Sequence, residues 1–370
     1  MPTEGALPPS IHCASDYEDL ARQRLDAAVF AHMAGGAGRD VAVRANLAAF
    51  ETLKITPRVL QDLRAGSTRC TLQGQERDHP VWLGPIAFQR LFHPGAEREA
   101  ARAAAATGAG FVASTLSSLT LEEIAAAAGP DRWFQLYVQP TREATLGLVR
   151  RAEAAGYGAI VVTVDAPVHA PGLTSLRAGF RGGEQPANLV GQAGADAAAP
   201  PGGSRVFQGL MQAAPTWADI DWLRSQTALP LWLKGLMHPD DARAAVAAGV
   251  DGMVVSNHGG RGFDAAPASL SALPRIRAAV GENFPLLFDG GIRSGEDVFK
   301  AIALGADGVM LGRLQACALA VAGALGVGHM IKLLREELEV CMALAGCGSL
   351  ADIRQAEVGP DRWSGKGATC

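Results

Sequence analysis

His258 and Arg261 lie three residues apart in SNHGGRGFD, directly after the apolar run DGMVVS. A histidine titrates near neutral pH and can take a proton. An arginine three residues on can clamp a carboxylate with its planar fork. Asp165 ends a second apolar run, AIVVTVD. A carboxylate there can orient an imidazole and stabilise its cation, the base–orienter pairing of a catalytic site. A lone histidine is more often a satisfied structural residue, so Asp165 is what turns the reading towards chemistry.

Two further motifs follow apolar runs. DGGIRSG carries Asp289, Gly290, Gly291 and Arg293, and LGR carries Gly312 and Arg313. Glycines let backbone N–H groups approach phosphate oxygens, and arginines add bidentate donors. Glycine turns with solvated arginines are the plain alternative. Two such loops in this order favour a phosphate site, a recurring feature after the last two strands of an α/β barrel. Lys234 ends the run PLWLK, where a lysine is costly unless it meets a negative partner, either a salt bridge or an anionic ligand edge.

These residues need a frame that brings them together. Short Val-, Ile- and Leu-rich runs alternate with Ala-rich amphipathic stretches, the pattern of repeated βα units around a buried parallel sheet. The pattern predicts eight strands near 81–86, 110–114, 133–138, 159–165, 230–234, 251–256, 285–289 and 307–311. Helices are expected near 97–107, 121–128, 142–156, 217–227, 239–248, 269–280 and 295–304. Eight units point to a closed (β/α)8 barrel, with residues 1–370 as one domain.

At the strand ends the chain places Pro85-Ile86-Ala87, Ser114, Gln135 and Tyr137, Thr163 and Asp165, Lys234, Ser256 to Arg261, Asp289 to Arg293, and Gly312-Arg313. Polar groups thus crowd the rim where such barrels do their chemistry. Residues 1–80 precede the barrel and read as helices (about 16–34 and 40–50) followed by a hairpin closing the floor. Residues 166–215 form a long loop after the fourth strand, read as a lid, with a mobile Ala/Gly/Pro-rich run, GQAGADAAAPPGG. Residues 328–345 have helical spacing and are expected outside the barrel.

Composition narrows the function. Net charge is −4 and the basic residues are scattered, which gives no footprint for nucleic acid or an anionic membrane. The six cysteines show no metal-ligand spacing and read as reduced thiols, so a cytoplasmic location without a metal is expected. MPTEGALPPS lacks the features of a signal peptide, and no apolar stretch is expected to span a membrane.

FQLYV, TVDAP, LPLWLKG, VVSNHGGRGFDAAPASL, LFDGGIRSGEDVFKAIALGADGVMLGR and EELEVCMALAGCGSL together resemble the FMN-dependent L-2-hydroxy-acid oxidases and dehydrogenases. The resemblance runs from Tyr17 to about Ile353. It implies FMN as cofactor and oxidation of an L-2-hydroxy acid to a 2-oxo acid. Oxygen is the expected acceptor, and a homotetramer or larger assembly is implied. His258 resembles the catalytic base, Asp165 its partner, Arg261 the carboxylate-binding arginine and Tyr137 the tyrosine that contacts substrate. Lys234 resembles the lysine beside flavin N1 and O2. Ser114, Gln135 and Thr163 resemble flavin-ring contacts, Ser256 and Asp289 further FMN contacts, and Ile86 and Ala87 the wall behind flavin N5. Gly291, Arg293, Gly312 and Arg313 resemble the phosphate grip.

Two departures bear on the substrate. In FAHMAGGAG, His32 stands where the family has a carboxylate-binding tyrosine. In VHAPGLTSLRAGF, Gly172 replaces a substrate-side arginine and Phe180 keeps the family's phenylalanine. His169 or Arg177 are the candidates for rebuilding the clamp. These departures also admit a specialised flavoenzyme acting on an amine or a larger substrate, and a barrel that binds flavin without turnover.

Overall fold

The computed structural model describes residues 7–168, 170–182, 184–191 and 199–361. Three helices open it: α1 (Asp16–Arg24), α2 (Ala27–Ala34) and α3 (Val41–Glu51). The helix expected over 16–34 is two helices. Leu25 is extended, and the Asp26 carboxylate accepts from the N–H groups of Ala28 and Val29, starting a new helix. A hairpin pairs Cys70–Leu72 with Gln75–Arg77 and lies against the barrel interior through Leu72.

The barrel strands are β1 (Val81–Leu83), β2 (Gly110–Ser114), β3 (Arg132–Leu136), β4 (Ile160–Thr163), β5 (Leu231–Leu236), β6 (Gly252–Val255), β7 (Leu286–Asp289) and β8 (Gly308–Leu311). All neighbours are parallel, and β8 pairs with β1 to close the ring. β1 is shorter than its apolar run because the chain turns out at Gly84, whose N–H still donates to Leu311 O at 2.8 Å. β5 runs past Lys234 through an irregularity at Gly235, where φ is 110°. A Cβ at Gly235 would lie 2.5 Å from Asp165, so the glycine makes room for that side chain.

Helices α4 (Ala96–Thr107), α5 (Leu121–Ala125) and α6 (Arg142–Ala154) follow the first three strands. The connection after β4 carries α7 (Leu173–Arg177) and short helical turns at Ala187–Leu189 and Arg205–Ala213, so the expected lid is partly structured. Most of the Ala/Gly/Pro-rich run (192–198) and His169 lie outside the described residues. The remaining helices are α8 (Trp217–Gln226), α9 (Pro239–Ala247), α10 (Ser269–Val280), α11 (Gly295–Ala303), α12 (Arg313–Ala345) and α13 (Leu350–Arg354). The helix expected over 328–345 is the end of α12, which starts at the barrel rim and breaks at Ala322–Gly323. By length and composition α12 would suit a membrane span, against the expectation of none, but its apolar residues pack on α4, α1 and α11.

Strand periodicity sorts the side chains. Phe111, Phe134, Leu233, Val255 and Phe288 face outward into the core shared with the helices. Trp82, Val112, Trp133, Val161, Trp232, Val254, Leu287 and Met310 fill the interior as a separate cluster. Two residues further along the same inward faces stand Gly84, Ser114, Gln135, Thr163, Lys234, Ser256, Asp289 and Gly312. A polar layer therefore sits directly on an apolar one.

Candidate active site

The loop after β6 positions the base. His258 has φ 57°, and its N–H donates to Ser256 Oγ at 3.0 Å. Gly260 donates to Asn257 Oδ1 at 3.0 Å, and Asn257 forms a reciprocal amide pair with Asn46 of α3 at 2.8 and 2.9 Å. Both glycines of the motif are sterically required. A Cβ at Gly259 would lie 2.7 Å from an Arg313 nitrogen, and one at Gly260 would lie 2.7 Å from Val43 N. Asn46 and Asp264 were not among the expected site residues, although Asp264 lies inside SNHGGRGFD. Asp264 accepts from the N–H groups of Arg39, Val41 and Ala42, tying this loop to the start of α3. Its signal was only its place in the motif.

His258 Nδ1 is 2.9 Å from Asp165 Oδ1. Burial works to raise the Asp165 pKa, but the His258 hydrogen bond and the charges of His258 and Lys234 hold it below its usual value. An ionised Asp165 can only accept, so Nδ1 carries a proton, and in the neutral ring Nε2 then keeps its lone pair. Tyr137 and Arg261 lie in the same field. Burial raises the Tyr137 pKa, with a further push from Asp165. Burial lowers the Arg261 pKa, against the pull of Tyr137 and Asp40. One Arg261 nitrogen donates to the carbonyls of His32 and Met33 at 2.8 and 2.7 Å. Among the described residues Nε and Nη1 have no hydrogen-bond partner, which leaves two donors for an anion.

Lys234 meets the salt-bridge alternative. Its Nζ is 2.7 Å from Asp289 Oδ2 and 2.9 Å from Ser256 Oγ. Burial would lower its pKa, but Asp289 and Asp165 raise it, so it is charged. Ser114 donates to Gln135 Oε1 at 3.2 Å. Thr163 is buried beside Lys234 in the sheet. Ile86 and Ala87 lie half-buried on the loop after β1.

Arg293 pairs with Glu18 of α1 at 2.7 Å and donates to Ile292 O. Arg313 donates to the carbonyls of Met33, Ala34, Gly35 and Gly259 at 2.7 to 3.2 Å. Burial and the charges of Arg261 and Arg293 push the Arg313 pKa down to about 9. The end of α2 is thus gripped by both Arg261 and Arg313 through Met33 O. Gly312 begins α12, and a Cβ there would meet open space. A helix N-terminus beside clustered arginines is an anion site.

FMN fits this arrangement. Among the described residues Gln135 Nε2 and Asp289 Oδ1 are buried without a partner, a donor and an acceptor in the polar layer, and unpaired buried groups of this kind are uncommon. Among the described residues neither Arg261 nor Arg313 has a carboxylate within salt-bridge distance, so the cluster calls for an anion.

His32 stacks on Phe180, with centroids 4.0 Å apart and planes 8° from parallel. Its Nδ1 is 3.4 Å from Ser175 Oγ of α7. Burial, then the Arg261 charge, pushes its pKa down to about 4. Gly172 has a steric reason: a Cβ would lie 2.6 Å from Gly36 O, where the start of the lid bridges to Gly38. Arg177 is exposed at the end of α7.

Residues 21–360 match the model of the FMN-dependent dehydrogenase family. The chain is 55% identical to an L-lactate oxidase of Alicycliphilus denitrificans over 97% of this chain and 100% of that protein. It is 43% identical to a 4-hydroxymandelate oxidase of Amycolatopsis orientalis over 92% and 96% of the two chains. A crystal structure of mandelate oxidase with (S)-2-phenylpropionate superposes with TM-score 0.86 at 41% identity, covering 95% of this chain and 99% of that one.

Proposed function

Because the chain belongs to the FMN-dependent dehydrogenase family, we propose that its substrate is a small L-2-hydroxy acid of the lactate type, oxidised to the 2-oxo acid with oxygen as acceptor. The observation that carries this reading is the His258–Asp165 pair beside the open donors of Arg261. His258 Nε2 takes the substrate proton, and Asp165 stabilises the imidazolium that results. Arg261 holds the carboxylate through Nε and Nη1, and the Tyr137 hydroxyl orients the substrate. His32, neutral at pH 7, adds a hydrogen-bonding group where a tyrosine is usual. FMN, when bound, supplies the two-electron acceptor.

Gln135, Ser114, Thr163 and Lys234 would hold the flavin ring, backed by Ile86 and Ala87. Ser256 and Asp289 would contact the polar chain. Gly291, Arg293, Gly312 and Arg313 would hold the phosphate, with Arg313 exchanging carbonyl partners for phosphate oxygens.

The 55% identity to an L-lactate oxidase favours the lactate-type substrate. The stacked His32–Phe180 pair offers a flat face to an aryl group, which favours mandelate-type acids as the second reading. Comparing kcat/KM for L-lactate and L-mandelate separates them, and inactivity with both would contradict the proposal. We also propose a cytoplasmic homo-oligomer acting as one catalytic domain. The free thiols of the five described cysteines support a reducing compartment. Val340 and Leu344, exposed one turn apart on α12, would suit a subunit seam, which sedimentation can measure.

A further inference from the structure

Three tryptophans lie in contact inside the barrel. The Trp82 and Trp133 ring centroids are 4.1 Å apart, and those of Trp133 and Trp232 are 4.8 Å apart. They come from β1, β3 and β5, alternate strands that share one layer of a barrel interior. The sheet is built to admit them. A Cβ at Gly110 would fall 2.0 Å from the Trp82 ring, and one at Gly252 would fall 2.6 Å from the Trp232 ring. Valine or leucine would fill a barrel interior without this concession, so bulk alone does not account for the stack.

Its position is specific. Trp133 and Trp232 stand two residues before Gln135 and Lys234 on the same inward faces, about 6.6 Å along each strand. If those polar residues hold the flavin, as proposed above, three tilted indoles in contact lie one layer below the flavin site. The two ends of the stack differ. The Arg77 guanidinium lies 4.4 Å from the Trp82 ring centroid, and a cation over a ring opposes loss of an electron from it. The Trp232 Nε1–H is buried with no hydrogen-bond partner among the described residues, so an oxidised Trp232 has no base among them to take its proton.

We propose that this triad is a reversible one-electron donor that quenches the light-excited flavin and protects the cofactor from photochemistry. With FMN bound and excited by light, Trp232 would give up one electron to it and become an indole radical cation. Trp133 shares the positive charge, and Arg77 keeps it off Trp82. With no proton lost, the electron returns and both groups are restored. Light drives the cycle, and no other reactant is consumed.

Time-resolved flavin fluorescence and transient absorption of the FMN-loaded protein test the proposal. The expected result is emission much shorter-lived than that of free FMN, with a transient indole radical cation. Trp232→Phe should lengthen the lifetime severalfold and lose colour faster under steady blue light, whereas Trp82→Phe should change little. Trp133→Phe serves the same test if Trp232→Phe fails to retain FMN. Lifetimes and photobleaching unchanged in Trp232→Phe and Trp133→Phe, or a tyrosyl radical from Tyr137 as the transient species, would overturn it. Bleaching of the flavin by substrate is independent of these readouts, so this proposal and the oxidase reading fail separately.

Discussion

Gly235 adjoins Asp165 so closely that a Cβ there would lie 2.5 Å from the aspartate side chain, and Asp165 in turn holds His258 Nδ1 at 2.9 Å. The His258–Asp165 pair therefore depends on a residue with no polar atom of its own beyond the backbone. Asp165→Asn should keep FMN bound but lose the anion that fixes the tautomer and stabilises the imidazolium. The expected cost in kcat/KM is roughly 10²–10⁴-fold, the usual worth of a placed acid–base group. Steady-state kinetics at constant flavin content measure it.

Lys234→Met should destabilise the fold as well as the site. Removing one partner of a buried ion pair leaves Asp289 as an uncompensated charge, at a cost of about 3–5 kcal/mol. Denaturant unfolding should show this loss, and FMN should dissociate more readily.

Gly172→Arg would restore the family's residue without restoring its contact. Its Cβ would lie 2.6 Å from Gly36 O, so the lid start must move away from the Gly38 segment. A lower melting temperature with no fall in KM is expected, from overpacking worth about 1–3 kcal/mol. A lower KM at unchanged stability would contradict this account.

Burial, then the Arg261 charge, pushes the His32 pKa down to about 4 in the folded chain, from an ordinary value of 6.5. A depressed folded pKa means that the unfolded chain binds more protons between these values, so stability rises with pH there. The His32 contribution is complete above about pH 6.5 and is lost as pH falls towards 4. Melting temperatures of the protein and of His32→Phe, compared across this window, should converge in slope only if His32 does not titrate. A flatter profile for the variant is the expected outcome.

Much of this was legible in the residues. Strand periodicity set Ser114, Gln135, Thr163, Lys234, Ser256 and Asp289 on one inward rim, because alternation in a barrel admits a single answer. The motif SNHGGR located the base. What composition and spacing did not reveal came from contacts distant in sequence. Glu18 on Arg293 spans 275 residues, and the Met33 carbonyl accepting from both Arg261 and Arg313 joins α2 to the loop after β6 and to the start of α12. The steric reason for Gly172 likewise lies in a backbone oxygen more than a hundred residues away. The break at Leu25–Asp26 was signalled by a capping aspartate inside a run whose periodicity continued on both sides.

In the proposed reaction His258, held by Asp165, takes the substrate proton, and FMN, when bound, would supply the two-electron acceptor. The most direct measurement is anaerobic stopped-flow reduction of the bound flavin by L-lactate, for the protein and for His258→Ala at equal FMN content. The account predicts rapid bleaching in the first and a rate slower by roughly 10²-fold or more in the second. Equal rates in the two proteins, at equal flavin occupancy, would contradict it.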